Sequence, residues 1–235
     1  MGRKRKRLSK KARRRQRNRR AALFAAVIAL AVAAALIWRN CGPGGEGGSR
    51  NLPEARGEFL EEDREDGRPA IDVQLLTPNP YSRPQEALNE INGIVIHYTA
   101  NPGTTAQENH DYFEGLKDSG ETYASSHFVV GLDGEIIQCI PSSEISYASN
   151  DRNYDTISVE CCHPDESGQF TEDTYQSMVE LTAWLCKHFQ VPVDSVIRHY
   201  DVTGKECPKY FVDHPEAWEQ FRNDVGERLS ELAGV

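Results

Sequence analysis

Apolar and polar residues alternate along this chain with two periods, and those periods mark out its elements. Ile94-Val95-Ile96 is a β-branched run. With Gly93 before it and His97 after it, it predicts a buried strand over 93–97. Ser126 to Val130 and Glu135 to Ile140 flank Leu132-Asp133-Gly134, the pattern of a β-hairpin. Thr156 to Cys162 predicts a further strand. Helical spacing appears three times. Ala106, His110, Phe113 and Leu116 share a face behind a cap at Thr104 or Thr105. Tyr175, Met178, Val179, Thr182, Leu185 and Phe189 do so behind Thr171, and Trp218, Phe221, Val225 and Leu229 behind Pro215. Strands interleaved with helices, one hairpin among them, predict an α/β fold: a single domain with a central mixed β-sheet flanked by helices.

The polar stretches divide the chain. Residues 1–20 hold thirteen Lys or Arg and no acid, and residues 21–38 run without a charge. A basic block before eighteen apolar residues predicts a cytoplasmic tail and a transmembrane signal anchor, which places the rest of the chain outside the cytoplasmic membrane. The rival, a cleaved signal peptide, calls for a shorter apolar core and a small-residue cleavage site, where this segment ends Leu36-Ile37-Trp38-Arg39-Asn40-Cys41. Residues 39–70 are rich in Gly and charge and read as a flexible linker. The Pro-rich stretch Thr77 to Pro84 predicts an extended arm on the domain surface, and residues 71–235 are long enough for one domain with a full core.

Charge then excludes one class of partner. The formal net charge of −9 averages two unlike parts: 14 of the 27 basic residues lie at or before Arg39, leaving 13 against 36 acidic residues and a net of −23 beyond it. Such a domain is a poor nucleic-acid binder.

Candidate chemistry gathers near the C-terminus. His199 and Cys207 stand eight residues apart across a polar loop, and an imidazole and a thiolate are good Zn²⁺ ligands. His97, at the end of the first strand, is the candidate third ligand. In the strand Thr156 to Cys162, alternation sends Ile157, Val159 and Cys161 to one face, and Ser158, Glu160 and Cys162 to the other. A carboxylate inside an apolar strand is expensive to bury unless it serves a site, which singles out Glu160. Cys161 and Cys162 point oppositely and cannot easily share an ion. For that pair buried thiols are the better reading, while Cys139, Cys161, Cys162 and Cys186 permit three complete disulfide pairings with no choice among them or against free thiols. Trp184 and Trp218 read as packing, and His110 and His127 as packing or groove-lining. His163, His188 and His214 read as surface. Asn101 and Thr104 follow the first strand and could line a groove or simply form a turn and cap.

The segments INGIVIHYTANPG, ASSHFVVGLDGEI, TISVECC and RHYDVTGKECP, in this order, resemble the zinc-dependent type 2 N-acetylmuramoyl-L-alanine amidases, over roughly Ile71 to Phe211. The arm LLTPNPYSRP is similar to that of membrane-anchored bacterial members. The resemblance implies Zn²⁺ held by His97, His199 and Cys207, with Glu160 as general base and Lys205 stabilising the oxyanion. Asn101, Thr104 and His127 are then expected to contact substrate. It implies cleavage of the amide between N-acetylmuramic acid and L-alanine in peptidoglycan, by a monomer tethered through residues 21–38. Ser126 departs from the tyrosine that phage lysozyme-type members carry there, which shifts weight to Glu160. The rivals are a non-catalytic peptidoglycan receptor on the same fold, which typically lacks the ligand cysteine, and a zinc peptidase acting on the stem peptide.

Overall fold

A computed structural model of the chain describes residues 66–234. The basic tail, the anchor at 21–38 and residues 39–65 of the linker lie outside the described residues. Among the described residues no helix is long and apolar enough to cross a membrane.

The elements follow in chain order. They are β1 (Asp72–Val73), β2 (Gly93–Tyr98), α1 (Ala106–Ser119), β3 (Phe128–Val130), β4 (Ile136–Gln138) and β5 (Thr156–Cys161), then α2 (Glu172–Phe189), β6 (Val196–Arg198), α3 (His199–Thr203), α4 (Lys209–Asp213) and α5 (Pro215–Ala233). The six strands form one sheet in the order β1-β4-β3-β5-β2-β6. Only the β3–β4 hairpin is antiparallel, so the sheet is mixed, as the pattern predicts. The hairpin turns at Gly134, whose φ of +81° is easy for glycine. A Cβ there would also stand 2.9 Å from the Asp173 carbonyl oxygen in the first turn of α2.

Burial explains the two faces. Ile94, Ile96, Ile157, Val159 and Cys161 pack against Met178, Leu181 and Leu185 of α2 and Phe221 and Val225 of α5 in the main core. A smaller cluster on the other face joins Val129 and Ile137 to Leu76, Ala106 and Phe113. That second layer covers only the β3–β4 side of the sheet. The β5–β2–β6 side of the same face carries the polar residues of the site.

Caps set the helix starts. The Thr105 hydroxyl accepts from the Glu108 N–H, and the Glu108 carboxylate accepts from the Thr105 N–H, closing a capping box. Thr171 accepts from the Thr174 N–H at 3.0 Å. The arm is pinned rather than straight. Asn79 and Arg83 exchange backbone bonds across a turn, and the Arg83 guanidinium meets Glu144 through two bonds of 2.8 Å.

One reading of side-chain placement changes. His163, expected at the surface, is buried with its ring 5.0 Å from that of Tyr98. His188 is exposed, as expected, with its ring stacked on Trp184. The described cysteines are all free and buried, in agreement with the buried-thiol reading of Cys161 and Cys162.

Candidate active site

Parallel pairing puts the chemistry at one edge. His97 on β2 stands directly opposite Glu160 on β5, both one residue from the carboxyl ends of their strands. Ile96 pairs with Arg198 at the end of β6, so His199, the next residue, enters at the same level. Open α/β sheets bind ligands in this crevice beyond the carboxyl ends of parallel strands.

The loop to Cys207 folds back by local bonds. The single turn of α3 ends at Gly204 in the left-handed region, and its N–H returns to the Tyr200 carbonyl at 2.7 Å. The Tyr200 N–H then donates to the Cys207 carbonyl at 2.8 Å, closing the loop. Arg198 braces it from outside, pairing with Asp201 and donating to the Phe211 carbonyl.

These constraints bring His97, His199 and Cys207 together, all buried, with one ligand atom from each within 4.8 Å of the others. The Cys207 Sγ is 3.8 Å from the His97 Nδ1, and the two imidazole centroids are 4.7 Å apart. The outward nitrogens are held by one loop. The His97 Nε2 meets the Ser149 hydroxyl at 3.1 Å, and the His199 Nε2 meets the Asn150 Oδ1 at 2.8 Å. An amide oxygen only accepts, so His199 carries its proton on Nε2 and presents a lone pair on Nδ1. That Nδ1 is buried with no hydrogen-bond partner. Two imidazoles and a thiol, with one bare nitrogen aimed at the shared space, fit a tetrahedral Zn²⁺ site with three protein ligands.

Electrostatics point the same way. Burial holds His97 well below the usual histidine range, and His199 and Lys205 push it further. Burial, and then Lys205, also lowers His199, so both rings are neutral ligands. Burial pushes the Cys207 thiol up to about 12, with Glu160 adding to it, and a nearby divalent cation inverts that preference. Burial raises the Glu160 carboxyl to about 8, with Lys205 pulling the other way. Its Oε2 is buried without a partner.

The cleft above these groups is about 350 Å³ and is lined by Glu160 and Lys205 as well as the three ligands. Asn101, Thr104 and His127 are not among its lining residues. Thr104 is engaged in its own turn, donating to the Asn101 carbonyl and accepting from Asn109. His127 is 0% exposed, so the expectation that it contacts substrate is corrected. The Ser158 N–H donates to the His127 Nδ1 at 3.0 Å, and the His127 Nε2 donates to the Glu144 carbonyl at 2.9 Å. Ser126 is also fully buried and bonded to Ser158, so position 126 presents no hydroxyl to the cleft. Tyr123 and Tyr147 do line it, as do Asn150 and Asn153. Three of these lie in irregular segments and Asn150 opens a single 3₁₀ turn, both too short to carry a periodic signal.

The profile of the N-acetylmuramoyl-L-alanine amidase family matches residues 87–210, a span that contains His97, Glu160, His199, Lys205 and Cys207. The chain belongs to the N-acetylmuramoyl-L-alanine amidase family. A probable N-acetylmuramoyl-L-alanine amidase of Bacillus licheniformis is 35% identical over 163 residues, which are 64% of this chain and 46% of that protein. The amidase BlyA of Bacillus subtilis (strain 168) is 32% identical over 173 residues, 65% of this chain and 46% of its own length. The chain thus spans about half the length of these curated relatives. Among solved structures, the catalytic domain of XlyA superposes with a TM-score of 0.57 at 24% identity, over 67% of this chain and 99% of that one. A mutant endolysin from Bacillus subtilis gives 0.57 at 25% identity, over 66% and 98%. The amidase fold therefore accounts for most of the described residues.

Proposed function

We propose that the chain hydrolyses the amide between N-acetylmuramic acid and L-alanine in peptidoglycan, as a zinc amidase. The convergence of His97, His199 and Cys207 beside Glu160 carries this reading. His97, His199 and Cys207 would hold the ion, with Ser149 and Asn150 fixing the two rings. When bound, zinc supplies a Lewis acid and makes water acidic near neutral pH. Glu160, a carboxyl raised towards neutrality with a bare oxygen in the cleft, removes the proton of the attacking water and returns it to the leaving amine. The Lys205 ammonium stabilises the negative charge that develops on the scissile carbonyl oxygen. The ligand cysteine favours an enzyme over a receptor.

The sequence also supports an anchored form. The basic block at 1–20 and the uncharged run at 21–38 would hold the enzyme on the outer side of the cytoplasmic membrane, with 39–70 as tether, facing its substrate.

The test is the zinc content of the full chain and its action on purified peptidoglycan with and without a chelator, new termini being identified by mass spectrometry. Free L-alanine amino termini that need the metal are expected, and cleavage inside the stem peptide would overturn the assignment. Glu160→Gln should keep zinc and lose turnover about 10²- to 10⁴-fold.

A further inference from the structure

The cleft over the metal ligands does not end at its own rim. Tyr123 and Tyr147 line both it and a second cleft of about 540 Å³, roofed by the Pro-rich arm. Tyr123 is 62% exposed, with its ring 5.4 Å from Tyr81 and 5.5 Å from Tyr147. It forms a wall shared by the two clefts.

The second cleft has a definite charge. Two ionic side chains line it, Arg83 and Glu86. Arg83 is neutralised within the fold, its guanidinium gripping Glu144 at 2.8 Å with both side chains largely buried, and its remaining N–H groups include one donated to the Leu76 carbonyl. Glu86 is exposed and forms no ion pair among the described residues. Its backbone is fixed: the Ile145 N–H donates to the Glu86 carbonyl, and Leu88 bonds to Ser143. Glu86 and Tyr147 line the same cleft, and burial, then the Glu86 charge, raise the Tyr147 phenol. The second cleft is therefore a partly aromatic, net-negative extension of the first.

We propose that this second cleft is a peptide-side subsite, in which Glu86 receives the free amine of a diamino acid in the stem peptide and Tyr123 and Tyr147 support the chain leading to it. Charge favours the peptide over the glycan as occupant, since a neutral or acidic sugar gains nothing from an unpaired carboxylate. The proposal rests on the amidase reading. It makes Glu86 a specificity residue, remote from the scissile bond.

The test is equilibrium binding of an N-acetylmuramoyl-tripeptide ending in a diamino acid, set beside the same compound with its side-chain amine acetylated. The protein is the zinc-loaded full chain carrying Glu160→Gln, with and without Glu86→Gln. Glu86→Gln should weaken binding of the free-amine ligand about threefold to fivefold and leave the acetylated ligand unchanged. Tyr123→Ala should weaken both. Equal effects of Glu86→Gln on the two ligands, or none, would overturn the subsite. Turnover by the unmutated chain is read separately. Charge-selective binding without any cleavage would sink the amidase reading and leave the subsite standing, whereas cleavage without charge selectivity would do the reverse.

Discussion

The His199 imidazole is aimed by a single amide oxygen, and that oxygen comes from a residue in an unusual backbone conformation. Asn150 sits at φ +54°, a region that asparagine tolerates better than most side chains. Asn150→Gly keeps that conformation open and removes only the acceptor. It should lower zinc affinity by about 10- to 100-fold, measured by competition with a chromogenic chelator. His127 makes a second prediction. Burial holds its pKa at about 4 against about 6.5 unfolded, outweighing the Glu144 carbonyl and the Glu144 charge, which pull it up. A depressed histidine favours the folded state above its unfolded pKa, and that contribution is lost as pH falls through the folded one. Stability should thus drop by about 3 kcal/mol between pH 6.5 and 4. In denaturant titrations His127→Gln should start less stable at pH 7 and lose this part of the slope. At this scale the sequence was legible where chemistry and position coincide. His97, His199 and Cys207 are metal-ligand types, and Glu160 is conspicuous in an apolar strand. Ser149 and Asn150 are common loop residues whose role exists only through the rings they touch. His127 sits beside Phe128 at the hairpin and looks available, yet Ser158 and the Glu144 carbonyl hold its two ring nitrogens.

Among the elements, β2 is the centre of the site, paired with β5 on one side and β6 on the other. Its first residue has no room for a side chain. A Cβ at Gly93 would lie 2.9 Å from the Ser195 carbonyl oxygen and 3.2 Å from the Arg152 guanidinium. Gly93→Ala should cost about 2 kcal/mol and lower the melting midpoint by several degrees in calorimetry. The long helices and β5 were readable from their periods, and the capping residues Thr105 and Thr171 from their chemistry. Strand β6 was not. Val196-Ile197-Arg198 is too short to show a period, and it becomes a strand only because β2 offers it an edge. The same holds for α3, a single turn stabilised by Gly204 and by Arg198 with Asp201.

For the whole molecule, an acidic domain follows a strongly basic start, and the proposed topology turns that asymmetry into an orientation. In intact spheroplasts, external protease should remove the domain from 71 onward while sparing a tag placed before residue 1. Protection of the domain would refute the anchored form. The general plan, a mixed sheet with helices on its faces, was accessible from patterning, since each long element buries a face with a clear period. The order of strands was not, because the β-branched runs say that strands pair without saying with which neighbour.

Both histidine ligands lean on consecutive residues of one loop, Ser149 and Asn150, and that loop is itself held by the Asn153 Oδ1, which accepts from the Ala148 and Ser149 N–H groups. The two imidazoles are therefore not independent supports. A local opening of residues 148–153 would release the orientation of both at once, while the core behind β2 and β5 stayed closed. The metal centre would then behave as a cooperative unit with a failure threshold of its own, below that of the domain that carries it.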